Sequence, residues 1–117
     1  MIQKYKDEWE RRLRTTPENQ RCAGRLRRPI PGCPDLPPLH CAIGLLAEVL
    51  VEEGRAKWVG ADRLDGVDAY AVLSDLTGYN GSWFDIYSRN DDGMPWAGIA
   101  DFIHNNIEGY TPEEAPQ

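Results

Sequence analysis

A chain of 117 residues and 13.2 kDa, 41% hydrophobic and 27% charged, fits one domain with a single modest core. No apolar run approaches the roughly 20 residues that a membrane-spanning helix requires. The formal net charge of −6 is unevenly spread, since residues 1–28 hold nine Lys or Arg against four acids and the remainder holds four against fifteen.

The first residues are charged where a secretory signal would be apolar, so the expected location is the cytoplasm. Ile2, Tyr5, Trp9 and Leu13 recur at three- and four-residue spacing and predict a helix over about residues 2–14, stopped by Thr15-Thr16-Pro17. A short strand through Arg25, Leu26 and Arg27 follows. Five prolines between Pro29 and Pro38 then exclude regular structure and make residues 29–38 an extended internal loop.

The strongest element is an apolar helix from about Leu39 to Glu53. Ala42, Leu45, Leu46, Val49 and Leu50 form its stripe, and Gly54 is placed to close it in the left-handed conformation. Gly44 inside this helix costs up to about 1 kcal/mol relative to alanine, which points to close approach of another backbone. Ala56 to Val59 reads as a short strand, and Val67 to Leu76 as a helix ended by Gly78. Ser82 to Ser88 carries both a helix-start signal and strand-forming aromatics, and the aromatics favour a strand. A last helix runs from Pro95, suited to a first helical position, to near Gly109. Residues 110–117 read as a flexible acidic tail. The expected fold is α+β, one compact helix-rich domain over residues 1–109 with about four helices and short strands.

In chain order, Trp9 and Leu13, Gly24-Arg25-Leu26-Arg27, His40-Cys41-Ala42-Ile43-Gly44-Leu45-Leu46, Trp58, Leu73 and Asn90-Asp91 through Ile99-Ala100-Asp101-Phe102-Ile103 resemble a group of small phage and prophage proteins of uncharacterised function. The usual core motif of that group reads Cys-Cys-Leu-Gly-Val-Leu-Cys, followed by Leu-Asn-Asp, a glycine turn and Phe-x-x-Ile-Ala-Asp. Here His40 replaces the first cysteine, and Ala47 or Leu46 the last. The likeness covers residues 9 to about 107 and implies a phage context without an activity.

Cys41 stands near a helix start beside His40, and with His104 it makes a candidate thiol- or metal-dependent site. Adjacent helical residues point about 100° apart, so His40 is poorly placed as a base for Cys41. A buried structural thiol is the favoured reading. Cys22, Cys33 and Cys41 lie eleven and eight positions apart, outside the paired spacing of zinc ligands, and no disulfide framework is expected. Setting Gly93 at position 6 of a calcium loop puts Ser88 at position 1 and Ile99 at position 12, which excludes a calcium hand. No cofactor is called for.

Two interaction readings remain. The basic segment offers Arg11, Arg14, Arg25, Arg27 and Arg28 for nucleic acid, although internal neutralisation is the simpler account of its charge. The favoured reading is a non-enzymatic accessory protein that binds a host or phage protein stoichiometrically, for instance a nucleic-acid-handling or defence factor with a basic surface. Asp62, Asp65 and Asp68 on the acidic body, with an exposed aromatic cluster of Tyr79, Trp83, Phe84 and Tyr87, are its candidate contacts.

Overall fold

The computed structural model describes residues 1–33, 35–66 and 68–112. These residues form five α-helices and one two-stranded antiparallel sheet, a helix-rich α+β domain. Helix α1 spans Gln3–Thr15 and is followed by a 3-10 turn at Glu18–Gln20. Strands β1 (Arg27–Arg28) and β2 (Leu39–His40) pair with Arg27 opposite His40, and the proline-rich segment connects them. Helices α2 (Ala42–Glu52), α3 (Ala69–Thr77), α4 (Trp83–Asp91) and α5 (Trp96–Asn106) complete the chain. No helix among the described residues is long and apolar enough to cross a membrane.

Helix α1 buries Tyr5, Trp9 and Leu13 along one stripe and packs on α2 and α5. Its stripe repeats every four residues, the spacing that stacks side chains over successive turns. The Trp9 indole N–H donates to the Ala42 carbonyl at 2.8 Å, so this fully buried ring also fixes where α2 begins. Helix α2 is the central element, with every residue from Ala42 to Ala47 buried. Trp96, Ile99, Ala100 and Ile103 of α5 and Leu73 of α3 add to the same core.

Gly44 has the close backbone contact its cost implied. A Cβ there would lie 1.7 Å from the Leu26 carbonyl oxygen. Cys41 N–H donates to that same carbonyl at 3.1 Å, so α2 is pinned by its first turn against the chain entering β1. Gly54 and Gly78 both take the left-handed conformation expected after a helix, each with φ +75°.

Several boundaries differ from expectation. Helix α2 starts at Ala42 and not at Leu39, because Leu39 and His40 are drawn into β2 and Cys41 is the N-cap. The first strand is Arg27–Arg28, starting two residues and ending one residue later than the expected one. Ala56 to Val59 is no strand. Only an isolated antiparallel bridge joins Trp58 to Leu64 across a loop. Helix α3 starts at Ala69 with Asp68 as its cap, while Val67, expected to begin it, lies outside the described residues. Pro95 occupies the N-cap position of α5 rather than its first turn.

The main correction is at residues 82–88, expected as a strand: Ser82 is an N-cap and Trp83 opens helix α4, which makes five helices where four were expected. Trp83, Ile86 and Asn90 recur at three- and four-residue spacing and are all buried. Tertiary burial of that stripe outweighs the strand preference of the aromatics, which is a context effect. Tyr110, expected in a flexible tail, is tied to the start of the chain. Its N–H donates to Met1 O at 3.0 Å, and its carbonyl accepts from Gln3 N–H at 2.8 Å. Residues 113–117 of the expected tail, and Pro34 of the proline-rich loop, lie outside the described residues.

Candidate functional site

Five aromatic rings form a ladder from the core to the surface. Trp9 meets Trp83 at 6.1 Å between centroids, Trp83 stacks on Tyr70 at 6.0 Å, and Tyr70 stacks on Tyr87 at 6.1 Å. Tyr87 then receives Phe84 edge-on at 5.2 Å. Such offset and edge-to-face contacts are favourable beyond their buried area. The ladder starts at fully buried Trp9 and ends at Phe84, which is 59% exposed.

Helical geometry explains which rings are inside. On α4, Trp83 and Ile86 face the core while Phe84, one residue on, faces away. The expectation of one exposed cluster therefore needs correction, since Tyr79 and Trp83 are buried and Tyr87 is half-buried. Tyr79 packs edge-on against Trp83 at 4.7 Å, and its hydroxyl donates to Ser82 O at 3.1 Å. These two rings support the ladder and are not available to a partner.

Beside the ladder lies an open cleft of about 370 Å³. Tyr70 and Tyr87 line it together with Gly24, Arg25, Leu26, Cys41, Asp62, Arg63, Asp68, Ala69 and Asp91. Its volume falls at the low end of the roughly 300–1,000 Å³ typical of ligand pockets, enough for one side chain or a small molecule. Two of its carboxylates are fixed by the backbone. Asp68 caps α3 by accepting from Tyr70 N–H at 3.0 Å, and Asp91 accepts from Gly24 N–H at 3.2 Å. Of the three aspartates expected to meet a partner, Asp62 and Asp68 reach this cleft; exposed Asp65 does not line it.

Cys41, His40 and His104 are not brought together as a reactive set. The Cys41 Sγ accepts from Gly44 N–H at 3.3 Å as the α2 cap, and burial pushes its thiol up to about 12. His40 is engaged elsewhere, its Nε2 lying 2.7 Å from Glu48 Oε2. His104 is exposed and held by Glu10, with Nδ1 to Oε1 at 3.1 Å. The Glu48 carboxylate is half-buried, which alone would raise its pKa, but hydrogen bonds from His40 and from the Trp58 indole bring it below the ordinary carboxylate value. This group braces β2, α2 and the Trp58 loop. No cluster of potential metal ligands occurs among the described residues.

The three thiols are free, with Cys22 and Cys41 buried and Cys33 exposed. A thiol reacts as thiolate, so both burial and a raised pKa suppress attack. We therefore expect one equivalent of a thiol reagent to react promptly at neutral pH, at Cys33, with the other two reacting only on unfolding. Mass mapping of the labelled native protein checks this, and rapid labelling of Cys41 would contradict it.

The basic segment is largely neutralised within the fold. Arg11 pairs with Glu8, Arg14 with Asp101 at 2.8 Å, Arg12 with Glu8 and Glu52, and Lys4 with Glu53 at 3.1 Å. Arg27 donates to the Ala61 and Gly60 carbonyls at 2.6 and 3.0 Å and lies over the Trp58 ring. Of the five arginines considered for nucleic acid, only Arg25 and Arg28 have side chains with no hydrogen bond or ion pair among the described residues.

Sequence reasoning missed the node at Asn90. This 1% exposed side chain accepts on Oδ1 from Ala42 N–H at 3.0 Å and from the Trp96 indole at 2.9 Å. Its Nδ2 donates to Cys22 O at 3.0 Å and to Asp91 Oδ1 at 3.3 Å. One amide thus joins α2, α4, α5 and the segment leading to β1. The apolar spacing of Trp83, Ile86 and Asn90 was its only signal, since a polar residue on a buried helical stripe implies a satisfied network. Comparison of the chain with protein-family models, curated proteins and solved structures finds no match.

Proposed function

We propose that this chain works by stoichiometric binding of a protein partner, with Phe84 as the anchor and the adjoining cleft as the specificity element. The observation that carries this reading is the aromatic ladder. It holds a large exposed ring, 59% accessible, rigidly on a core-supported helix instead of on a loose loop. Exposed aromatics held this way lose little conformational entropy on binding and dominate interface energetics. Asp62 and Asp68 in the cleft that Tyr87 lines favour a basic partner surface, and the predominantly acidic chain beyond residue 28 supports the same sign. The resemblance to phage proteins makes a bacterial host factor, such as one that handles nucleic acid or acts in defence, the natural class of partner.

The test is capture of partners from bacterial lysate on immobilised protein, comparing the native chain with Phe84→Asp. Phe84 makes its ring contact with Tyr87 at the surface, so the variant should keep its circular dichroism and melting profile. Loss of an anchor of this kind weakens binding by roughly thirtyfold, or about 2 kcal/mol. A near one-to-one partner lost with Phe84→Asp supports the reading; no stoichiometric partner, or equal capture by the variant, refutes it.

A further inference from the structure

Five charged side chains line the cleft next to Tyr70 and Tyr87, and none of them forms an ion pair among the described residues. The two signs are not held alike. Asp68 and Asp91 are immobilised through backbone N–H groups that bind Oδ1 of each, leaving Oδ2 without a partner among the described residues. Asp62 makes no hydrogen bond there. Arg25 and Arg63 are long, exposed side chains on loops, free to swing outwards. Three carboxylates against two guanidinium groups leave the lining with a net negative charge.

The phenols reinforce that sign. Neither the Tyr70 nor the Tyr87 hydroxyl has a hydrogen-bond partner among the described residues, and both can accept one. Burial raises the Tyr70 pKa and keeps its hydroxyl protonated, with the Asp91 and Asp68 carboxylates as its charged neighbours in the cleft. Elsewhere the protein places its own cations over aromatic rings, at Tyr5, Trp58, Trp96 and Phe102. The Tyr70–Tyr87 pair carries none among the described residues.

The geometry points to this cleft as the seat of a single cationic side chain, arginine or lysine, presented by the protein partner. This inference rests on the binding reading above and specifies the chemistry of what is bound. Fixed carboxylates paired with phenolic acceptors suit an alkylammonium or guanidinium group, and 370 Å³ admits one such side chain but not an extended polymer. Placed beside the Phe84 anchor, the cleft would read a basic residue next to an apolar contact.

The test uses blocked amino acids as probes, N-acetyl-arginine amide and N-acetyl-lysine amide against N-acetyl-glutamine amide and N-acetyl-glutamate amide, followed by amide shifts of the intact protein. The cationic probes should give saturable shifts centred on Gly24, Tyr70 and Asp91 in the range of about 1–20 mM, weakened by added salt. Asp62→Asn combined with Asp68→Ser should weaken them by at least about fivefold, and serine retains the α3 cap. Asp62→Asn alone, at a residue with no hydrogen bond among the described residues, gives the same direction should the double variant fold poorly. Absence of saturable shifts, equal binding of the glutamate probe, or binding indifferent to both variants would overturn the assignment. Phe84-dependent capture without cation binding would remove only the cleft assignment; cation binding without any captured partner would remove the partner reading.

Discussion

Replacing Asn90 by alanine is expected to cost about 4 kcal/mol, a large part of the 5–15 kcal/mol by which domains of this size are stable. The amide is buried and fully satisfied by groups from four parts of the chain. Truncation strands the Ala42 N–H, the Trp96 indole N–H and the Cys22 carbonyl, each of which carries its own desolvation cost of roughly 1–3 kcal/mol. Local relaxation and entry of water recover part of that sum. In thermal unfolding the loss should appear as a fall of roughly 15 °C. Urea denaturation should show a lower midpoint with an unchanged slope. A loss under about 1 kcal/mol would mean that Asn90 does not join these elements.

Gly44→Ala is expected to destabilise by about 3 kcal/mol, the reverse of what helix propensity alone implies. Alanine in an exposed helix interior gains up to about 1 kcal/mol over glycine. At Gly44 the added Cβ would stand 1.7 Å from a backbone oxygen, which no side-chain rotation can relieve. Helix α2 or the Leu26 segment must move, at the cost of the Cys41–Leu26 hydrogen bond and of the packing around it. Gly98→Ala in α5 is the control, since its Cβ would meet only the flexible Met94 side chain, at 3.3 Å. It should be neutral or stabilising by up to about 1 kcal/mol. Equal effects of the two substitutions on the urea midpoint would contradict the close approach at Gly44.

The elements legible in the sequence are those whose cause is local. Helix α1 announces itself through Tyr5, Trp9 and Leu13, α2 through its apolar stripe, and the stops at Gly54 and Gly78 through the left-handed conformation glycine allows. Gly44 was legible because its cost demanded a tertiary reason. What was not legible depends on distant partners. Leu39 and His40 leave the helical pattern because Arg27 and Arg28 pair with them, and the four donors and acceptors around Asn90 come from residues 22, 42, 91 and 96.

The period assigned to residues 82–88 had a second consequence. A strand would alternate Trp83 and Phe84 across a sheet without saying which is covered, whereas the helix sends Trp83, Ile86 and Asn90 inwards together and leaves Phe84 out. Of the four rings expected at the surface, Phe84 is exposed and Tyr87 half-buried, while Tyr79 and Trp83 belong to the core. The charge division was plain in the sequence, yet its neutralisation through Glu53, Glu52 and Asp101 is a tertiary property.

The central claim, that the face around Phe84 and the adjoining cleft binds a protein partner, is tested most directly by amide hydrogen exchange on the chain with and without its captured partner. Binding should slow exchange at residues 62–70 and 83–91, with little change on the outer surface of α1. Protection confined to the basic face of α1, with residues 83–91 exchanging as in the free protein, would contradict it.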